Sequence, residues 1–214
     1  MSAPDFIGVY DNALTSEECD ELISFFESSE KRPGGYAGTN GYNVDHEHKK
    51  NIEVADPKIS TTPIIEKPLN ECIRKYSKEY LSLERIFPCN IVDPYTFQKL
   101  QYYGDGYKMW HTEHVPFSPA NMRVLVWMFY LNDSKSGTEF MHFPTIKGKK
   151  GRCILWPSSF THMHRAEPNK GLKYIMSGWI SYVNPDSYEK LDKKMGCSSG
   201  PRIIDSSIQM SNKG

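Results

Sequence analysis

The chain has 214 residues, enough for one domain with a sizeable core, and its 13 Tyr, 10 Phe and 4 Trp can fill that core well. Lysine plus arginine and aspartate plus glutamate balance at 26 each, so the formal net charge is zero, which excludes a bulk electrostatic pull toward nucleic acid or an anionic membrane. No apolar run reaches membrane-spanning length, and no signal-peptide pattern opens the chain. The five cysteines (Cys19, Cys72, Cys89, Cys153, Cys197) are scattered without a CxxC pair, which argues against a disulfide framework or thiolate zinc and for a reducing, cytoplasmic setting.

The first predicted element is an amphipathic helix from Thr15. Thr15 and Glu18 form a capping-box pattern, and Cys19, Leu22, Ile23 and Phe26 recur at helical spacing. Lys31 to Asn51 carries glycines, a proline and many charges, and reads as a loop or mobile hairpin outside the core, a natural lid. A second helix runs from about Pro63 to Glu84, with Ile65, Leu69, Cys72, Ile73, Tyr76 and Tyr80 on one face and Pro63 at an early helical position. From Pro94 the texture changes to short aromatic and β-branched runs between turn residues: Thr96–Tyr103, Arg123–Leu131, Thr138–Phe143, Arg152–Trp156 and Lys173–Val183. The tail from about Lys190 is polar and Ser-rich, and reads as flexible or as an outer flap. The expectation is one α+β, mainly β domain. Its helical part covers about residues 1–90 and its β-sandwich, barrel or jelly-roll core about 91–185.

Candidate ligands cluster in Trp110-His111-Thr112-Glu113-His114 and Thr161-His162-Met163-His164-Arg165. On a strand, residues two apart share a face, so His111 and Glu113 would reach one metal together. A distal histidine completes a 2-His-1-carboxylate facial triad that leaves metal positions open for a co-substrate and O2. His162 and His164 compete for that place. Lys173 opens the apolar run Lys173-Tyr174-Ile175-Met176 nine positions after His164. A lysine at the edge of a buried strand is costly unless an anion meets it, which a dicarboxylate chelating the metal at its other end would supply. His114 points away from Glu113, Asp45-His46-Glu47-His48 reads as a solvated loop, His142 needs no special role, and the four tryptophans read as core or pocket walls.

The ordered set resembles the prolyl 4-hydroxylase-like branch of the Fe(II)/2-oxoglutarate-dependent oxygenases. The matching pieces are Tyr103-Gly104-Asp105-Gly106-Tyr107 before His111-Thr112-Glu113, then Arg123 through Tyr130-Leu131-Asn132-Asp133, Ser136-Gly137-Thr138-Glu139-Phe140, Gly151-Arg152 through Trp156-Pro157-Ser158, His164, and Lys173-Tyr174 through Trp179. The resemblance implies a double-stranded β-helix, a cupin-like jelly roll, with N-terminal helices packed on it. It also implies Fe(II) at His111, Glu113 and the distal histidine, 2-oxoglutarate and O2 as co-substrates, and ascorbate as a supporting reductant. Matching backward from Lys173 puts His164 at the ligand position, with His162 as its rival. The same matching brings Lys173 to the distal carboxylate of 2-oxoglutarate, Tyr130 and Ser177 nearby, and Tyr103 to the approach to the iron. The family usually has aspartate where this chain has Glu113. Halogenating relatives lose that carboxylate, so its retention favours hydroxylation. The implied substrate is a prolyl residue in a peptide or protein. The alternatives are a free amino acid or other small molecule, and a non-catalytic cupin-like metal-binding or ligand-binding protein.

Overall fold

The computed structural model describes residues 5–38, 41–54, 58–81, 90–92, 95–114, 123–182 and 202–203. The N-terminal part contains β1 (Gly8–Tyr10), α1 (Ser16–Ser28), β2 (Lys31–Pro33), β3 (Tyr36–Gly38), β4 (Gly41–Asn43), β5 (Lys49–Lys50), β6 (Ile52–Val54) and α2 (Lys58–Tyr76). Then come β7 (Asn90–Val92), β8 (Thr96–Leu100), β9 (Gly106–Tyr107), β10 (Arg123–Tyr130), β11 (Gly137–Phe140), β12 (Ile146–Lys147), β13 (Arg152–Pro157), β14 (His164–Ala166), β15 (Lys173–Tyr182) and β16 (Arg202–Ile203).

The main sheet runs β1-β13-β10-β15-β8-β6-β2, with β7 on β15 and β16 on β7, and every pair is antiparallel. A second, smaller sheet has the order β12-β11-β14. The fold is a jelly roll. Period-2 alternation sends side chains of the central strands to both faces, and both faces are buried, so β10 reads as one nearly continuous apolar run. Trp127 and Phe129 join Phe97, Cys153, Leu155, Tyr174, Met176 and Ile180 under α1 and α2, which contribute Cys19, Leu22, Phe26, Ile65, Leu69, Cys72, Ile73 and Tyr76. Val126 and Tyr130 join Leu100, Phe140, Ile154, Trp156 and Ile175 between the sheets. At Gly178 an added Cβ would lie 2.6 Å from the Trp127 ring, so the close fit of the indole to β15 requires glycine there.

Thr15 caps α1 as its sequence requires: its hydroxyl accepts from the Glu18 N–H, and the Glu18 carboxylate accepts from the Thr15 N–H. The base of this helix is tied to the sheet, where Glu27 accepts from Lys99 Nζ at 2.6 Å and from the Tyr174 hydroxyl. Three expectations are corrected. The stretch before residue 90 is not simply helical, because β1, β6 and β2 extend the main sheet. α2 begins at Lys58, so Pro63 sits in its second turn, where packing of its apolar face outweighs the lost N–H bond. Lys31–Asn51 contains a hairpin, one of its two readings, with β3 pairing β4, but it does not lie wholly outside the core. It folds into β2 to β5, β5 pairs with β9, and Lys49 is buried against Glu53 at 2.6 Å with a second bond to the Gly35 carbonyl. The tail from Lys190 lies outside the described residues apart from β16. Among the described residues no helix is long and apolar enough to cross a membrane.

Candidate metal centre and co-substrate pocket

His111 and Glu113 do not share a strand. His111 forms an isolated bridge with His164, each backbone N–H donating to the other's carbonyl at 3.1 and 3.0 Å, and Glu113 follows in a bend. The Glu113 and His114 N–H groups donate to the Ser158 carbonyl, which fixes that bend against the end of β13. The ligand atoms of His111, Glu113 and His164 lie within 4.8 Å of one another, the one such group found among the described residues. Glu113 Oε1 is 3.4 Å from His111 Nε2 and 3.6 Å from His164 Nε2.

The two imidazoles are oriented from behind. His111 Nδ1 lies 3.0 Å from the Met109 carbonyl and His164 Nδ1 lies 2.9 Å from the His162 carbonyl. A carbonyl only accepts, so each Nδ1 carries the proton and each Nε2 presents its lone pair toward the shared centre. Burial holds the His164 imidazole below its ordinary pKa, in the neutral form a metal needs. Burial by itself would raise the Glu113 carboxyl; protonated His111 and His164 would outweigh it and hold the acid well below the usual carboxylate range, a positive charge that a bound metal would supply once the Nε2 lone pairs are free. Two neutral imidazole nitrogens and one carboxylate oxygen suit Fe(II) with positions left open. Around them, Tyr107 stacks on His111 with ring centroids 3.9 Å apart, and Trp156 meets His164 edge-on at 5.0 Å.

His162 is left out of this group. Residues Phe160–His162 form a single 3-10 turn, not a strand, so the expected common face with His164 does not exist. His162 Nε2 instead lies 2.8 Å from the Asp5 carbonyl and its ring stacks on Phe143 at 5.0 Å.

Lys173 begins β15 with its side chain turned between the sheets and is 2% exposed. Its Nζ donates to the Gly137 carbonyl at 3.4 Å, and among the described residues no carboxylate oxygen lies within the 4.0 Å of an ion pair. Burial pushes its ammonium down to about 8, with the Glu167 carboxylate opposing. Gly137 and Phe140 stand at opposite ends of β11, and Phe140 pairs with His164. Three strand steps, about 10 Å, therefore separate the Lys173 end from the imidazole end. The Tyr130 hydroxyl sits at the Lys173 end, 2.7 Å from that of Thr138. An added Cβ on Gly137 would lie 1.9 Å from the Ile146 carbonyl oxygen, so glycine is needed for β11 to fit against β12.

Two expected positions differ. Ser177 shares the inward face of β15, but its hydroxyl contacts the Thr96 hydroxyl at 3.1 Å and accepts from Gln98 Nε2 at 3.2 Å. Tyr103 is 81% exposed in a turn, and the aromatic ring beside the imidazoles belongs to Tyr107. Tyr107 lies four positions after Tyr103, beyond the turn at Gly104, whose φ is 77°. Asp45 and His48 bond to each other at 2.5 Å in the turn before β5, with no third ligand among the described residues. His142 is exposed in a bend beyond β11. Trp156 forms a wall of this region, as one of the two readings of the tryptophans had it; Arg123, Tyr107 and Thr138 also line it and were assigned no site role from sequence. For Arg123 the available signal was a guanidinium opening an otherwise apolar strand.

Residues 97–181 match the family model described as the 2OG-Fe(II) oxygenase superfamily. No curated protein matches the chain by sequence. Among solved structures, the chain is similar to the viral collagen prolyl hydroxylase of Paramecium bursaria Chlorella virus-1 in its 2OG complex, at 17% identity and a TM-score of 0.57, over 83% of this chain and 97% of that one. It is also similar to a Trichoplax adhaerens prolyl hydroxylase in complex with a hypoxia inducible factor peptide fragment, at 14% identity and a TM-score of 0.62, over 83% and 84% of the two chains. A third likeness is to SnoN, a non-heme alpha-ketoglutarate-dependent epimerase from nogalamycin biosynthesis, at 13% identity and a TM-score of 0.58, over 92% and 88%.

Proposed function

We propose that this member of the 2OG-Fe(II) oxygenase superfamily, a dioxygenase that uses Fe(II), 2-oxoglutarate and O2, hydroxylates a prolyl residue in a peptide or protein. His111, Glu113 and His164 would hold the iron, and Lys173 would receive the distal carboxylate of 2-oxoglutarate. The observation that carries the site assignment is the buried Lys173 ammonium, with no carboxylate in ion-pair reach among the described residues, at one end of β11 while the imidazole-carboxylate group stands at the other. A cation 2% exposed costs stability in that place, and an anion in the bound state would offset that cost.

Bound there, Fe(II) with 2-oxoglutarate and O2 supplies the oxidising power that puts one oxygen atom into a substrate C–H bond as the co-substrate leaves as succinate and CO2. This chain's own residues do the rest. The two Nδ1–H···O=C bonds keep both imidazoles turned inward, so no reorganisation is needed on loading. The Lys173 ammonium sets the direction of the diacid, and the Tyr130–Thr138 hydroxyl pair offers further polar contact at the same end. Val126, Ile154, Trp156 and Ile175 line the space between the sheets with apolar surface and exclude water from it.

The prolyl reading is supported by the likeness to prolyl hydroxylases, one of them in complex with a peptide fragment. The Tyr107 ring beside His111 adds an aromatic surface suited to packing a pyrrolidine ring. The likeness to SnoN makes small-molecule chemistry the reading to test against it. The test is succinate formation with Fe(II), ascorbate and a panel of proline-containing peptides, free amino acids and larger small molecules, with products examined by mass spectrometry. A peptide gaining one oxygen on proline is the expected result. Coupled turnover on free amino acids alone would overturn the prolyl reading.

A further inference from the structure

Glutamate brings three rotatable bonds to the metal group, and Glu113 sits in a bend without a strand to stiffen it. Its two oxygens nevertheless have different surroundings. Oε1 faces the imidazoles, 3.4 Å from His111 Nε2 and 3.6 Å from His164 Nε2. Oε2 lies 3.3 Å from Arg123 Nη1, and the same Nη1 reaches the Glu113 backbone carbonyl at 3.4 Å. Arg123 is itself immobilised. Its guanidinium carbon lies 3.6 Å from the centroid of the Trp179 ring, and its carbonyl accepts from the Ser158 hydroxyl at 2.6 Å. The Ser158 carbonyl in turn accepts from the Glu113 N–H at 3.1 Å, which closes a ring of contacts through Glu113, Arg123 and Ser158.

We propose that Arg123 is a positioning residue that holds Glu113 Oε2 away from the metal, so that Glu113 ligates through Oε1 alone. A carboxylate free to rotate could bind through both oxygens and take up a position that the co-substrate or O2 requires. A planar guanidinium stacked on an indole can hold one oxygen in a fixed direction, which the compact ammonium of a lysine does less well. The inference rests on the metal-site reading above and concerns this chain's own contacts around that site.

The test uses the full chain without iron, loaded with Mn2+ or Co2+. In Arg123→Met, which keeps an unbranched stem over Trp179, the Mn2+ dissociation constant should change by about 10- to 100-fold, the range typical for partners that orient a ligand. The Co2+ absorption envelope should shift as the second carboxylate oxygen becomes free to bind. Arg123→Lys should fall between Met and the parent in both measurements. In a Glu113→Asp background the shorter arm withdraws the carboxylate from Nη1, so adding Arg123→Met should change the constant far less than it does in the parent. A purely structural Arg123 would lower the melting temperature but leave the Mn2+ constant and the Co2+ spectrum of the folded protein unaltered, and that outcome overturns the proposal. Should Arg123→Met not fold, Arg123→Lys in the two backgrounds gives the same decision. A parent protein that binds neither ion would overturn the metal-site reading itself, and this inference with it.

Discussion

Replacing Lys173 with methionine should make the metal-free protein more stable and worse at binding 2-oxoglutarate. The ammonium is 2% exposed, and burial lowers it from an ordinary 10.5 to about 8. A lysine whose folded pKa is depressed destabilises the fold wherever the unfolded chain holds the proton more tightly. The penalty is complete below pH 8, fades between 8 and 10.5, and is absent above. At neutral pH the shift corresponds to roughly 3 kcal/mol. Methionine has similar length and no charge, but it forfeits the bond to the Gly137 carbonyl, about 1 kcal/mol. The net gain of about 2 kcal/mol should raise the melting temperature at pH 7 by roughly 4–8 °C for a chain of this size, and by much less at pH 10. Loss of the buried charge pair should meanwhile weaken 2-oxoglutarate binding by about 2–5 kcal/mol, a factor of at least about 30. Melting curves at the two pH values and 2-oxoglutarate titration of the Mn2+ form measure both effects. A Lys173→Met protein that melts below the parent at pH 7 and binds 2-oxoglutarate equally well would refute the reasoning.

Three more outcomes are expected. For the parent, 2-oxoglutarate affinity at saturating Mn2+ should decline as pH rises through about 8, because only the protonated Lys173 meets the carboxylate, and the decline should be missing in Lys173→Met. His164→Ala should abolish Mn2+ binding, whereas His162→Ala should retain it and lower the melting temperature, since His162 ties the Asp5 carbonyl and Phe143 and no ligand atom. Thr15→Ala should cost about 1 kcal/mol of stability by chemical denaturation, with metal affinity unchanged, because it removes only the capping contact of α1.

The long strands were legible from pattern. Expected Arg123–Leu131, Arg152–Trp156 and Lys173–Val183 appear as Arg123–Tyr130, Arg152–Pro157 and Lys173–Tyr182, because runs of six to ten residues rich in aliphatic and aromatic side chains leave few other options. The Thr15–Glu18 capping pair was equally readable. Strands β1 to β6 were not. Each has two or three residues, too few for a period-2 signal, and apart from the β3–β4 hairpin they are defined by partners distant in sequence, as Gly8–Tyr10 is by β13 and Lys49–Lys50 by β9. Around the candidate site, the spacing of His111 and Glu113 was visible, but the bridge-and-bend that brings them together was not, because the bridge pairs His111 with a residue as distant in sequence as His164. The preference for His164 over His162 came from matching backward from Lys173; the 3-10 turn that separates the two in the fold is not revealed by spacing. Arg123 could be located as the start of a strand, yet its contact with Glu113 depends on the ring through Ser158, which only the folded chain assembles.

The most direct test of the central assignment is an anaerobic crystal structure of the chain with Mn2+ and 2-oxoglutarate. The account predicts one anomalous peak among His111 Nε2, His164 Nε2 and Glu113 Oε1, with the diacid running along β11 and its distal carboxylate within about 2.7–2.9 Å of Lys173 Nζ. A metal peak that omits Glu113 or uses His162, or a diacid whose far carboxylate lies away from Lys173, would contradict it.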